Sequence, residues 1–510
     1  MRFQKWHIVL IMIAAGRAQV PSPDFHPVIP RAWDDEKIAS LQVPLANPLG
    51  SPKHVSAGYY YGIPARPIYK SYPLYAPGRQ PAGYIERLQR EDPVVLWDDD
   101  GHAPPLATDA DWLKAGAIVF DAPLGYVPLP PPDFLKTIVE AVRPPVAADG
   151  TLPFFRLVVR QKGRLEIGGD ACAVCHTRVM ADGRVLQGAQ GNFPFDRQFV
   201  FFRIRAAVAA VKNPAAVERG LRPFLRMLFA APWMKPDPQE RLFQMPLDEL
   251  ISVYEAIPPA VNDRHGTSPL YPVQVPDLIG IKDRRYLDRT GLQQHRSIED
   301  LMRYAALNQG ADYLANHAGF IPREAPDFRA SPDSDPAAGR YSDAQLFALA
   351  KFLYSLQPPK NANHLVAVAL RGREVFDRER CASCHTPPLY TNNKLTPAPG
   401  FKVPPGASKQ FDIMDVSVGT DPALAIKTRR GTGYYKVPSL KGVWYRSMFG
   451  HSGWCATLED WFDPRRVRDD YIPTGFKPHD AATYAVKGHP YGLNLSLNDK
   501  NALIAYLKTL

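Results

Sequence analysis

The chain has 510 residues, which is long enough for two or three domains with a sizeable core. Its 53 prolines predict long, irregular connections around short helices, and the many aromatic and aliphatic residues among them argue against disorder. The formal charge of +10 suits an acidic partner or an anionic surface, whereas nucleic acid is a poor fit because no Lys/Arg run or basic helix stands out.

Residues 1–18 have the pattern of a secretory signal peptide. Arg2 and Lys5 precede an apolar run at 8–16, and small residues lead up to a cleavage site after Ala18. The run is too short to span a bilayer, and no later apolar stretch of about 20 residues follows, so we expect no transmembrane segment after signal removal. A retained anchor is the alternative. The sequence predicts a periplasmic or secreted protein.

Residues 19–150 form a predicted N-terminal extension rich in proline and aromatic residues. The aspartates of the segment 97–100 could bind calcium, since carboxylates are the ligands that calcium prefers. A solvated loop or a helix-capping run is the reading we favour for them. The whole extension is expected to wrap over the units that follow.

The pattern Cys-x-x-Cys-His occurs twice, at 172–176 and at 381–385. Two thiols at this spacing can add to the two vinyl groups of one haem, and the adjacent histidine then ligates the iron. A disulfide or redox pair would not need the histidine, and a zinc site would need a second pair nearby. We therefore predict two c-type haems. Cys172 and Cys175 attach haem 1 and His176 ligates its iron, and Cys381 and Cys384 attach haem 2 and His385 ligates its iron.

An internal repeat accompanies the two motifs. Segment 275–281 (Val-Pro-Asp-Leu-Ile-Gly-Ile) is echoed by 437–443 (Val-Pro-Ser-Leu-Lys-Gly-Val), and segment 349–356 is echoed by 503–510. Segments 349–356 and 503–510 follow Ser342 and Ser496, respectively, and each serine suits a helix N-cap.

The repeat predicts a mainly α fold with two cytochrome c-like haem domains related by duplication, together with long Pro-rich loops and the N-terminal extension. The first domain is placed at 151–357 and the second at 365–510. Within the first, a long insertion carries predicted helical stretches at 200–211 and 247–256.

The order of these motifs resembles the bacterial di-haem cytochrome c peroxidases. Their superfamily includes the methylamine-utilisation di-haem enzyme and the di-haem rubber oxygenases. The resemblance covers 165–510 and is carried best by 437–440 and by His451-Ser-Gly453-Trp454. The length and insertions look closer to the rubber-oxygenase branch. The resemblance implies one haem that binds peroxide or oxygen and one that stores or relays electrons from a small redox protein or another donor.

The second axial ligand of haem 2 has three candidates. Aligning the last helix with the family places Val486 nearest its methionine ligand, and His489 follows three residues later in a stiff Gly-His-Pro turn. His489 is the ligand we predict, although a histidine on a surface loop is the alternative. His451 and Met448 are the competitors; the first is expected to make hydrogen bonds around the haem and the second to pack.

Haem 1 lacks such a candidate. Asn192 stands where compact peroxidases carry a distal histidine, the next histidine along the chain is His265, and Asp335 occupies the place of His489 in the repeat. Three methionines remain as alternatives, although their neighbours suggest core packing: Met227, Met234 and Met245. We predict an open haem 1 with Asn192 on its distal side.

Tyr286 stands nearest to the position of the family's inter-haem tryptophan, which suggests an electron relay, with a packed aromatic as the alternative. Arg284 and Arg285 are predicted to pair with haem propionates. The prediction is an exported di-haem oxidoreductase, peroxide- or oxygen-reactive at haem 1. An electron-transfer cytochrome with both irons six-coordinate is the alternative, and oxygenation of a hydrophobic substrate is a third hypothesis.

Overall fold

The computed structural model describes residues 27–39, 44–263, 266–325 and 339–510. The predicted signal peptide, His265 and Asp335 lie outside the described residues. Helices account for 37% of the residues and strands for 13%, so the fold is mainly α-helical with small sheets. In the described part of the chain, no helix combines the length and apolar character needed to cross a membrane.

Eighteen α-helices are present in the described residues. Those before the second motif are α1 (Asp35–Ala39), α2 (Ala57–Gly62), α3 (Tyr84–Arg90), α4 (Asp109–Asp121), α5 (Pro132–Val142), α6 (Cys172–His176), α7 (Phe195–Phe199), α8 (Ala206–Val211), α9 (Pro214–Phe229), α10 (Glu240–Gln244), α11 (Leu247–Glu255), α12 (Ile298–Asn308), α13 (Asp343–Ser355) and α14 (Ala367–Arg378). Those after it are α15 (Ala407–Gln410), α16 (Ala423–Ile426), α17 (Leu458–Trp461) and α18 (Leu497–Leu507).

The strands are short. They are β1 (Ile68–Tyr69), β2 (Ser71–Tyr75), β3 (Val95–Trp97), β4 (Gly125–Pro128), β5 (Thr151–Gln161), β6 (Arg164–Gly169), β7 (Thr177–Val179), β8 (Val185–Gln187), β9 (Val261–Asn262), β10 (Val273–Gln274), β11 (Tyr286–Leu287), β12 (Gln293–Gln294), β13 (Leu395–Pro397) and β14 (Tyr434–Lys436). Most form two-stranded antiparallel ribbons, and four of them form one larger sheet in the order β2-β5-β6-β4.

The four-stranded sheet joins the N-terminal extension to the segment before the first Cys-x-x-Cys-His motif. Strands β2 and β4 come from the extension, and they flank the β5–β6 hairpin through antiparallel pairing. The predicted boundary at residue 150 therefore lies between strands of one sheet. Because β6 ends at Gly169, this sheet leads directly into α6, the helical turn that carries the first motif.

Helix α4 of the extension packs against α13, which closes the segment before the second unit. Thr108 and Asp111 form a capping box at the start of α4, which satisfies backbone donors at its first turn. The contact is close because a Cβ at Gly116 would lie 2.7 Å from the carbonyl carbon of Ala348. A side chain at that position would hold the two helices apart.

The second unit is built on the contact between α14 and α18. Here too a glycine permits the approach, because a Cβ at Gly372 would lie 2.5 Å from the carbonyl carbon of Ala502. Ser342 and Ser496 cap α13 and α18, respectively, with their side chains accepting from the backbone three residues on, as the sequence predicts. These helices end the two segments that carry the motifs.

Residues 195–255 are mainly helical. A continuous run passes from α7 through a π-helical segment (Val200–Arg205) into α8. The predicted stretch 200–211 lies in this run, and the predicted stretch 247–256 corresponds to α11. Side chains from α9, α10 and α11 form one apolar cluster with Trp454 and Cys455 of the second unit, so the insertion packs against that unit.

Candidate haem sites

The first motif forms a single helical turn, α6, between the four-stranded sheet and the β7–β8 ribbon. The Nδ1 atom of His176 lies 3.1 Å from the carbonyl oxygen of Pro276, in the first Val-Pro-x-Leu segment. An Nδ1–H that donates to this oxygen leaves Nε2 as the metal-binding nitrogen. Gln309 donates to the sulfur of Cys172 at 3.5 Å, and Asn262 to that of Cys175 at 3.6 Å. Burial raises the pKa of the Cys172 thiol to about 11.

The second motif borders a cavity of about 230 Å³. Cys381, Cys384 and His385 line it, and most of its wall is apolar. The apolar lining includes Phe376, Val437, Leu440, Val443, Leu458, Phe462, Leu503 and Leu507. A pair of thiols and an imidazole at the edge of an apolar cavity is the donor set that a c-type haem requires. Burial lowers the pKa of His385, while hydrogen bonds to the backbones of Tyr390 and Pro438 oppose that shift.

His489 lies across this cavity from His385. The two imidazole ring centres are 6.3 Å apart and the rings are tilted by 58°. Two imidazole nitrogens that bind one metal from opposite sides at about 2 Å place their ring centres about 6 Å apart. Burial, and secondarily His385, lowers the pKa of His489 to about 3, so the ring is neutral, which is the form that binds metals. The residues therefore fit an iron held between two histidines.

His451 also lines the cavity but is engaged elsewhere. Its Nε2 lies 3.2 Å from the Tyr435 hydroxyl, its Nδ1 lies 3.5 Å from that of Thr420, and its ring stacks on Tyr435 with centres 4.1 Å apart. Burial lowers its pKa to about 3. Met448 is not among the residues that line the cavity; it packs on the apolar cluster around Trp454. Of the three candidates, His489 is the one that faces His385.

A small cavity of about 20 Å³ lies where the two Val-Pro-x-Leu segments meet. Pro276, whose carbonyl faces His176, and Pro438, whose backbone bonds His385, both line it. Tyr286 lines it as well; its hydroxyl lies 3.2 Å from the Asp412 carboxylate and accepts from the Asp412 backbone N–H at 3.1 Å. Burial raises the pKa of Tyr286. The predicted relay residue is thus buried beside the segments whose backbones bond His176 and His385.

The same cavity carries an excess of positive charge. Arg284, Arg289, Lys436 and Arg446 line it, against the single carboxylate of Asp277. Burial lowers the pKa of Arg289 to about 9 and that of Lys436 well below its ordinary value. Buried cations of this kind need an anion close by. Haem propionates would supply it, because Arg289, Lys436 and Arg446 also line the cavity that holds His385.

Arg285 and Asn192 make contacts other than the predicted ones. Arg285 is exposed and pairs with Asp412 at 2.8 Å, and Arg284 donates to the carbonyl of Ile279 at 2.8 Å while lining the cationic cavity. The side-chain amide of Asn192 bonds both backbone groups of Val179, at 3.0 and 2.9 Å. Arg284 thus remains a candidate propionate partner, whereas the amide of Asn192 braces strand β7.

The aspartates at 97–100 act within their loop. Asp98 accepts hydrogen bonds from the backbone of Asp100 at 2.9 Å and of His102 at 3.0 Å, and its carboxylate pairs with the His102 ring at 2.8 Å. No group of three or more His, Cys, Asp or Glu side chains in the described ranges could hold a metal ion. The contacts of Asp98 are those of a residue that closes a loop on itself.

Sequence reasoning missed several residues of the site. Arg289 holds the position of His451 in the internal repeat, and Arg446 that of Arg284, so the repeat contained a signal for both. Lys436 immediately precedes the second Val-Pro-x-Leu segment. Met414 also lines the cavity bordered by the second motif, called here the haem 2 cavity, and has no distinguishing sequence pattern around it.

No protein-family model matches the chain, and no curated protein matches it. Three solved structures that match it are a MauG-like protein associated with microbial copper homeostasis, the hydrazine synthase of Kuenenia stuttgartiensis, and the diheme peroxidase BthA of Burkholderia thailandensis. Their identities to this chain are 20%, 15% and 18%, and the TM-scores are 0.21, 0.29 and 0.25.

The matched regions cover 33%, 50% and 49% of this chain and 56%, 79% and 74% of the respective structures, so the chain spans little more than half of the MauG-like protein. Similarity at this level does not carry any activity over to this chain.

Proposed function

We propose that the chain is an exported di-haem c-type oxidoreductase, which reacts with peroxide or oxygen at haem 1 and draws electrons from haem 2. The observation that carries the proposal is the pair of facing histidines, His385 and His489, across an apolar cavity bordered by the second motif. A haem closed on both sides by imidazole is suited to storing and passing electrons rather than to binding a substrate.

The two units are proposed to share one plan by duplication. In each, a Cys-x-x-Cys-His motif is backed by a Val-Pro-x-Leu segment whose proline backbone bonds the histidine, and a serine-capped helix follows. Bound haem supplies an iron that exchanges single electrons and, where a coordination position is free, binds peroxide or oxygen. The protein's part is to fix the tautomer and orientation of each histidine.

The N-terminal unit is proposed as the reactive one. Asn192 replaces the distal histidine of compact peroxidases, and its amide is engaged with Val179. This residue therefore leaves the side opposite His176 to a small ligand. The buried side chains of Ala173 and Val174 in α6 would help to exclude bulk water from the reacting iron.

Electrons are proposed to pass between the units through the junction at Tyr286. The supporting observation is that Tyr286, Pro276 and Pro438 line one cavity. The carboxylate of Asp412, 3.2 Å from the hydroxyl, could take the phenolic proton if the ring is oxidised. The cationic side chains of the cavity would hold the propionates and favour the reduced state of the adjoining haem.

The outer partner is proposed to be a small redox protein, suited by its acidity to the +10 charge of this chain. Export to the periplasm or beyond agrees with the N-terminal pattern and with haem attachment to such motifs outside the bacterial cytoplasm.

Rapid mixing with peroxide tests the proposal. The protein with haem 2 reduced is mixed with hydrogen peroxide, and each haem is followed by its absorption; we expect fast oxidation of haem 2. A double variant, Cys172→Ala with Cys175→Ala, serves as the control because it lacks the attachment site of haem 1 and should leave haem 2 reduced.

Equal oxidation rates in the parent and the double variant would refute a reactive haem 1. Absence of any reaction with peroxide or oxygen would instead support the electron-transfer cytochrome with two closed irons. Oxygenation of a hydrophobic substrate would be recognised by oxygen consumption that depends on such a substrate.

A further inference from the structure

Arg466 is a fully buried arginine beside the haem 2 cavity. Its guanidinium donates to four backbone carbonyls: that of Trp461 at 2.7 Å, Val486 at 2.5 Å, Gly488 at 3.0 Å and His489 at 2.8 Å. Three of these four carbonyls belong to the short segment that carries His489. The side chain thus ties that segment to the end of helix α17.

The segment needs such support because its backbone is constrained. His489 has a φ of 45°, which is unfavourable for a residue with a side chain, and Gly488 before it has a φ of 84°. A Cβ at Gly488 would lie 2.5 Å from Cα of Thr420, so the segment is packed tightly against the loop at 419–420. The backbone N–H of His489 donates to Val418 at 2.6 Å. Its conformation is held from both sides.

Arginine suits this place for a geometric reason. The planar guanidinium carries five N–H donors in a fixed fork, and four separate carbonyls need such a fork, whereas a lysine ammonium is a single point charge. Arg466 is ion-paired with no carboxylate of the described residues, and its guanidinium lies 4.6 Å from the ring centre of Trp461. A buried charge without an anion is costly, so retaining it indicates a role for these particular hydrogen bonds.

We propose that Arg466 is the positioning residue that holds His489 opposite His385, and so fixes the second axial ligand of haem 2. The proposal rests on the proposed function, because it takes the iron of haem 2 to lie between these two histidines. Trp461 takes part, since its ring contacts His489 with centres 5.5 Å apart while its carbonyl binds the guanidinium.

Two variants of the full-length holoprotein test this role. Arg466→Lys keeps the buried charge and loses the fork; Arg466→Gln loses the charge and keeps a planar donor. We expect both to lose low-spin signal of haem 2 in the electron paramagnetic resonance spectrum, with high-spin signal replacing it. Added imidazole should restore the low-spin signal by occupying the vacated position. Arg468→Gln is the matched control, because Arg468 is exposed and pairs with Asp470; its spectrum should equal that of the parent.

The outcomes distinguish the positioning role of Arg466 from ligation by His489. If His489→Ala converts the low-spin signal and the Arg466 variants do not, the positioning role is wrong and the ligation stands. If His489→Ala also leaves the signal unchanged, the histidine pair itself is wrong. Arg466 variants that lose the haem 1 signal as well, or that lose bound haem, would overturn the proposal, because the residue would then support the whole fold rather than His489.

Discussion

The close contact between α14 and α18 depends on the glycine at position 372. Both helices supply walls of the haem 2 cavity, through Phe376, Leu503 and Leu507. A Cβ added at Gly372 would lie 2.5 Å from the carbonyl carbon of Ala502 and 2.7 Å from Cβ of Tyr506, inside the 3.0 Å that real Cβ contacts respect. Gly372→Ala therefore forces the helices apart.

Two opposing effects set the magnitude. Alanine in a helix interior gains about 1 kcal/mol over glycine, because less backbone entropy is lost. Overpacking costs about 1–3 kcal/mol, and the upper end applies at Gly372 because the opposing atoms are backbone and Cβ atoms that cannot rotate away. We expect a net destabilisation of about 2 kcal/mol.

Gly220 provides the matched control. It also lies within a helix, α9, but an added Cβ would meet nothing within 4 Å. Gly220→Ala should therefore stabilise the protein by up to about 1 kcal/mol. Urea unfolding followed by the absorption of haem 2 gives both numbers. A Gly372→Ala protein as stable as the parent would refute the packing of α14 on α18.

Three further predictions concern the site. Arg446→Gln removes a cation from the wall of the haem 2 cavity and should lower the midpoint potential of haem 2 by on the order of 60 mV, which is a tenfold change in a one-electron equilibrium. An unchanged potential in a redox titration would contradict the placement of the propionates. Tyr286→Phe removes the hydroxyl that contacts Asp412 and should slow electron transfer between the haems in rapid mixing. Tyr434→Phe is the control, because the Tyr434 hydroxyl is buried without a hydrogen-bond partner in the described part of the chain, and it should leave the rate unchanged. Equal electron-transfer rates in the two variants would exclude the relay. Burial and His385 lower the pKa of the free His489 ring, which disfavours the protonated form that cannot bind a metal. The low-spin spectrum should therefore persist as the pH falls below 6.5, whereas its loss with a midpoint near 6.5 would show that the ring is accessible.

The local features of the chain were predictable from sequence. Ser342 and Ser496 cap helices because a serine side chain accepts from the backbone N–H three residues on, which is a short-range interaction. The predicted closing stretches begin within α13 and α18. Alignment of the last helix with the family that the chain resembles predicted His489 as the second ligand of haem 2. That ligation stays a prediction, and the structure places the ring centre of His489 6.3 Å from that of His385.

The long-range features were not predictable in the same way. The sheet that pairs β2 with β5 brings together residues about 80 positions apart, and no local pattern specifies that pairing. Arg289 enters the wall of the haem 2 cavity from the first unit, and Arg466 supports His489 from 23 residues away. Such contacts depend on how loops meet in space, which residue type alone does not reveal.

The central claim is that the two haems differ: one iron is closed by His385 and His489, and the other is open opposite His176. An electron paramagnetic resonance spectrum of the fully oxidised protein tests it most directly, with His489→Ala beside the parent. We predict one low-spin and one high-spin haem in the parent, and conversion of the low-spin signal in the variant. Two low-spin haems in the parent would contradict an open, reactive haem 1.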